Sequence, residues 1–259
     1  MQGAAVNQQV RKRGQARKRG MGIAILALAW SLLVGGETFA QSASTFNQDF
    51  RLWAPVFLTV KLPSSLLAYM EVNTRFADLD DAGHIDQLLI RPAFGYQLTD
   101  NLSIWQGYAW VGNFNQKHTA PQSPFFEENR IYQQINYTHK FESFRILSRT
   151  RLEERWIERA DGTAIRFRTM LRGTYPLPMA PEWALVGYDE IFVNINTVGA
   201  QGPAAGFDQN RVFVGVNRTF SPYFNMDLGY QNQLLNSRSI SNLANQMNHM
   251  VLLQFFVNL

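Results

Sequence analysis

The chain contains no cysteine, which excludes a disulfide framework, a thiolate metal centre, a cysteine nucleophile and a lipid anchor carried on cysteine. Charged residues are scarce at 17% of 259, whereas apolar residues reach 46% and aromatic residues 13%, a balance that rules out a disordered or fibrous chain. The histidines, His84, His118, His139 and His249, are scattered, and G-x-S-x-G, H-E-x-x-H and Gly-rich phosphate loops are missing. No cofactor or metal is called for. A lipid hydrolase would need Ser, His and a carboxylate brought together at a membrane-facing rim by strands far apart in sequence, and it stands as the third functional choice.

Long hydrophobic runs are also lacking, with one exception near the start. Arg11, Lys12, Arg13, Arg17, Lys18 and Arg19 precede the uncharged stretch from Met21 to Gly36, and Glu37-Thr38-Phe39-Ala40 follows it with small residues where signal peptidase reads. At about 15 residues the apolar stretch falls short of the roughly 20 that a transmembrane helix needs. The expectation is a secretory signal peptide over residues 1–40, cleaved after Ala40, and a single exported domain over residues 41–259. Without residues 1–40, the formal charge of +4 becomes −1, from 18 basic and 19 acidic residues. That near-neutral exported chain argues against nucleic acid as a partner.

Lysine is the third scarcity: only Lys61, Lys117 and Lys140 follow Ala40, against 15 arginines. A soluble β-sandwich would present a solvent face richer in lysine, whereas the planar, always-charged fork of arginine suits a crowded, partly dry interior. The arginines also fall in phase. Segments of about 10 to 14 residues alternate with period 2, separated by Gly, Pro, Asn, Asp and Ser, and helical periodicity is hard to find. Leu66, Ala68, Met70, Val72, Thr74 and Phe76 oppose Tyr69, Glu71, Asn73 and Arg75. Ile131, Ile135 and Tyr137 oppose Glu128, Arg130, Gln134 and Asn136; Phe144, Ile146, Leu152 and Trp156 oppose Arg145, Arg149, Arg151, Glu153 and Arg155. Ile165, Phe167, Leu171 and Tyr175 oppose Arg166, Arg168, Met170 and Arg172, and Val212, Val214 and Val216 oppose Arg211 and Asn217.

Connections alternate as well. Those at 99–101, 140–143, 176–182 and 221–222 are brief, and those at 113–126, 196–207 and 236–245 are long, the arrangement of a transmembrane β-barrel. Phe141, Phe144, Tyr175, Trp183, Phe220 and Tyr223 flank the brief turns, where an interfacial girdle belongs. Val251, Leu253, Phe255, Val257 and Leu259 carry an apolar face to the last residue, like the terminal strand by which outer-membrane barrels are recognised for assembly. The expected fold is therefore all-β: an antiparallel up-and-down barrel of 10 to 12 strands. Pro55 interrupts the segment from Phe50 to Leu62 and marks an edge or a break in pairing; an even strand count is ten if that segment is not part of the wall, or twelve if one more strand lies among the less clean segments.

At Glu128-Asn129-Arg130-Ile131-Tyr132-Gln133-Gln134, at 149–156 (RTRLEERW), at Gly187-Tyr188-Asp189-Glu190-Ile191-Phe192, at 210–215 (NRVFVG) and at Leu228-Gly229-Tyr230-Gln231, the chain resembles the outer-membrane β-barrel proteins grouped as domain of unknown function 2490. The likeness runs from about Trp53 onward. It implies a barrel fold and the outer membrane of a Gram-negative bacterium, and it carries no assigned activity.

The inward phase holds the concentrated chemistry: Glu71, Arg75, Glu128, Arg130, Arg149, Arg151, Glu153, Arg155, Arg166, Arg168, Arg172 and Arg211, with Arg145 and Asp227. By this phase the lumen carries an excess of roughly six positive charges, which in a pore favours anions. Two readings stay open: a passive pore for small anions or solutes, and a closed structural or interaction barrel whose Arg and Glu side chains interlock across the lumen. The expected partners are outer-membrane lipid and, through the C-terminal strand, the barrel-assembly machinery.

Overall fold

In the computed structural model, which describes residues 47–79, 83–114, 125–199, 202–236 and 245–259, the alternating segments are eleven β-strands. They are β1 (Asn47–Lys61), β2 (Leu66–Ala77), β3 (His84–Thr99), β4 (Leu102–Phe114), β5 (Phe125–Lys140), β6 (Arg145–Ile157), β7 (Thr163–Leu177), β8 (Ala180–Asn194), β9 (Gly206–Ser221), β10 (Phe224–Leu235) and β11 (Gln246–Asn258). Each pairs with its sequence neighbour, and β1 pairs with β11 to close a barrel. The cleavage expected after Ala40 lies outside the described residues.

Ten of the eleven pairings are antiparallel and the closing pair is parallel, since an odd number of strands cannot form a ring with every neighbour reversed. The count lies within the expected ten to twelve, is odd where an even number is expected, and includes in the wall the segment 50–62 whose place the sequence leaves open. β1 pairs along one edge with β2, from Leu52↔Phe76 to Lys61↔Leu67, and along the other with β11. Pro55 leaves its mark in the second ladder, where the register runs to Trp53↔Leu252 and resumes at Val56↔Phe255. A proline has no N–H to donate, so the ladder with β11 skips that step while the strand continues. Beyond it, Lys61 N donates to Leu259 O at 2.8 Å and Leu259 N to Thr59 O at 2.9 Å. Because the seam is parallel, the first residue of β1 lies at the barrel end opposite the last residue of β11.

The strand ends flanking 62–65, 100–101, 141–144, 178–179 and 222–223 lie at one end of the barrel, and those flanking 78–83, 115–124, 158–162, 195–205 and 236–245 at the other. The first end is the short-turn end, and the connection expected over 176–182 contracts there to 178–179 because β7 and β8 pair almost to their tips.

Alternation sorts side chains between lumen and outside. Outside, Val72, Ile90, Phe94, Ile104, Ile131, Ile135, Leu152, Phe167, Leu171, Leu185, Ile191, Val214, Leu228 and Val251 are all exposed, Phe94 to 72%. Such a belt is far larger than the few hundred Å² of apolar patch that a soluble monomer tolerates. Aromatic residues border it. Tyr96, Tyr137, Phe141, Tyr175, Phe220 and Tyr223 are exposed toward the short turns. Toward the other end, Trp110 donates to Glu127 at 2.9 Å, Tyr108 bonds Asn129, and Tyr230 shares a 2.6 Å hydrogen bond with His249, so the polar tips of these rings are satisfied.

The lumen is partly packed. Trp53, Met170, Val186, Tyr188, Phe213, Met250 and Leu252 form a buried apolar cluster inside it. Small residues on the inner wall make room for its rings: a Cβ on Gly215 or Gly229 would stand 2.7 or 2.8 Å from Phe213 Cζ. Phe213 lies over these two glycines and stacks on Tyr188 at 4.9 Å between centroids.

Candidate functional site

The remaining interior is ionic. Thirteen arginines line the lumen, at positions 51, 75, 91, 130, 145, 149, 151, 155, 159, 166, 168, 172 and 211. These are all ten arginines assigned to the inward phase and three more. Glu71 and Glu128 line it too, and Glu153 stands behind them, only 1% exposed.

Sheet geometry gives each carboxylate its partners. Glu153 and Arg151 are two residues apart on β6 and share its inner face, while Arg166 is directly opposite on β7 and Arg168 is its diagonal neighbour. Glu153 accordingly meets Arg166 at 2.6 Å, Arg168 at 3.1 Å and Arg151 at 3.3 Å. From Arg168 the network runs to Glu190 on β8 at 2.7 Å and then back to Arg149 at 2.9 Å. From Arg166 it runs to Asp208 on β9 at 3.0 Å. A second unit sets Glu128 between Arg130 at 2.8 Å, whose fork is bidentate, and Arg155 at 2.5 Å. Arg172 meets Asp227 at 2.6 Å, Arg51 meets Asp49 and Asp86 at 2.6 and 2.7 Å, and Arg91 meets Glu71.

Aromatic faces carry other guanidinium groups. Arg151 sits 4.0 Å from the centroid of Tyr132, and Arg168 and Arg166 sit 4.6 and 5.2 Å from that of Phe192. Tyr132 can lie flat there because its wall neighbour is Gly107, where a Cβ would come within 2.2 Å of the ring.

Two features of this arrangement bear on what the lumen can do. First, the ion pairs join strands that are adjacent or at most three apart around the ring of eleven, as in β5–β6, β6–β8, β7–β9 and β7–β10. They brace the wall along its inner surface and do not tie opposite walls together. Second, a cavity of about 1000 Å³ remains, and its lining runs the length of the barrel. Thr59, Thr138, Arg145, Asn225 and Asn258 line it beside the short turns; Asp78, His84, Arg159, Pro203 and Gln246 line it at the other end.

Reading phase alone missed Arg51, Arg91, Arg159, Asp49, Asp78, Asp86, Glu190 and Asp208. Arg51 and Asp49 belong to β1, which starts ahead of the segment 50–62 whose place in the wall the sequence leaves open. Arg91 and Glu190 lie on β3 and β8, whose inner faces mix Leu89, Ala93, Val186 and Tyr188 with the charges and so blur the alternation. With these included, the described residues of the interior are thirteen arginines against nine carboxylates, seven on the cavity surface plus Glu153 and Asp227. The excess is four positive charges, smaller than the six that the phase suggested, because most of the missed residues are acidic.

A family profile described as protein of unknown function (DUF2490) matches residues 50–244. An uncharacterized protein of Methylorubrum extorquens is 30% identical over 224 residues, covering 85% of this chain and 92% of the relative. Among solved structures, the NanC porin is 10% identical with a TM-score of 0.44, over 76% of this chain and 94% of the porin. A loop L8 deletion mutant of OmpT, an outer membrane protein of Vibrio cholerae, is 15% identical with a TM-score of 0.38, over 70% of this chain and 59% of that protein.

Proposed function

The chain belongs to the DUF2490 family, whose description assigns no function, and from the geometry of its barrel we propose that it is a passive outer-membrane pore preferring small anions. The observation that carries this reading is the cavity lined from one end of the barrel to the other by thirteen arginines. An arginine-rich wall with a net excess of four positive charges lowers the energy of an anion in a confined, weakly screened path and raises that of a cation. The exposed apolar belt between two aromatic borders supports a bilayer as the surrounding medium, since closed barrels are the sheet form that leaves no backbone edge in lipid. Export through the segment before Ala40, cleaved there, and insertion by the barrel-assembly machinery reading β11 complete the proposal.

A closed, braced barrel is the second reading, favoured by the apolar cluster around Phe213 and by ion pairs whose members are only 1–10% exposed in β5 to β7. Liposome swelling separates the two. Proteoliposomes placed in isosmotic potassium acetate, with valinomycin to carry potassium, should swell faster than in an uncharged solute of similar size. No swelling above empty liposomes in either solution would leave the braced barrel as the better account.

A further inference from the structure

Among the described residues, nine lumen arginines are ion-paired to a carboxylate, and two others, Arg75 and Arg211, share one aromatic ring. Arg75 on β2 stands directly across from Trp53 on β1, with its guanidinium carbon 3.7 Å from the indole centroid. Arg211 reaches the same ring from β9 at 4.8 Å and also lies 4.6 Å from the centroid of Phe192. Neither has an ion-pair partner among the described residues. Each makes one side-chain hydrogen bond to a neutral amide: Arg75 donates to Gln87, and Arg211 to Gln209 at 3.2 Å. Arg75 Nε, Arg211 Nε and Trp53 Nε1 are all buried donors with no acceptor among the described residues.

Two like charges on one ring with three unused donors is an unfavourable arrangement unless an anion joins it. The geometry points to a binding site for the carboxylate of a small organic acid, formed by Trp53, Arg75 and Arg211 on the lumen wall. This inference deepens the anion-pore reading and rests on it for access from both sides. A carboxylate is the fitting head group because the edge of a guanidinium whose face lies on a ring matches two coplanar oxygens. An apolar body is fitting because Trp53 belongs to the cluster that holds Met250 and Leu252, and Phe192 backs Arg211. Four other lumen arginines on aromatic faces differ in this respect: Arg151, Arg166 and Arg168 each already have Glu153, and Arg172 has Asp227.

The test is calorimetric titration of the full-length folded barrel in detergent with benzoate, with its uncharged isostere benzamide and with inorganic phosphate. Saturable 1:1 binding of benzoate is expected, with at least tenfold weaker binding of benzamide and of phosphate. R75Q and R211Q should each weaken benzoate at least tenfold. R75K and R211K, which keep the charge and lose the fork, should lose most of the same affinity and cover the case in which a glutamine variant fails to fold. R218Q, on the outer face of β9 and outside the cavity lining, should bind as the unaltered protein does. Equal binding of benzoate and benzamide, equal binding of phosphate, or benzoate affinity unchanged in R75K and R211K would overturn the site. Because binding in detergent needs no conduction, benzoate binding by a barrel that passes no solute would sink the pore and leave the site standing. Conduction with no benzoate binding would do the reverse.

Discussion

Glu153 is the residue on which the lumen wall turns. It is buried and held by Arg151, Arg166 and Arg168, and two of these also reach onward to Glu190 and Asp208. Removing one member of such a group leaves buried charge uncompensated, a loss on the order of 3–5 kcal/mol. E153Q should therefore lower the unfolding free energy by about 3 kcal/mol or more, measured as the shift in urea midpoint of the folded barrel at constant slope. E142Q, on the exposed turn at 141–144, should change it by no more than about 0.5 kcal/mol. Equal effects would show that the network is idle. At this scale the arginines were legible in the sequence, because their two-residue spacing on β6 and β7 declares the inward phase. Their partners were less legible: Glu190 and Asp208 reach the network across two strands, and nothing in local spacing announces a contact between positions 166 and 208.

At the scale of elements, the closing seam is the feature that period-2 reading could not supply. Alternation shows that a strand exists and which face is apolar, but it is silent on what a first strand pairs with, and Pro55 marks an edge or a break in pairing. The ladder tolerates it by skipping the pairings of Ala54 and Pro55. The parallel seam predicts that Leu58 on β1 stands beside Val257 on β11. Because the chain has no cysteine, L58C/V257C places two thiols in an otherwise thiol-free protein. A short bis-thiosulfonate should bridge them within the folded barrel and produce a faster-migrating species on a denaturing gel. L58C paired with a cysteine at Gln246, at the far end of the same seam, should not bridge, and a bridge there would mean that the seam runs antiparallel. The strands with blurred phase share one cause. The inner face of β4 is Ser103, Trp105, Gly107, Ala109 and Val111, small or apolar to admit Tyr132 and its neighbours, so both faces read as greasy. In β11 the inward Met250 and Leu252 alternate with the outward Val251 and Leu253 to the same effect.

For the whole molecule, charge is a matter of placement. The chain sums to +4 and residues 41–259 to −1, yet thirteen of the fourteen described arginines in that stretch face one lumen. The belt outside and the aromatic borders at both ends predict recovery from the outer-membrane fraction. They also predict a gel mobility that changes on boiling, as the closed barrel unfolds; identical mobility with recovery from the soluble periplasm would contradict the bilayer placement. The measurement that bears most directly on the pore is the reversal potential of single channels in a planar bilayer under a tenfold potassium chloride gradient. The arginine-lined lumen predicts discrete conductance steps whose reversal potential has the sign of chloride preference, moving toward zero as total salt is raised and the excess charge is screened. A reversal potential of the potassium sign, or a folded protein that never conducts, would contradict it.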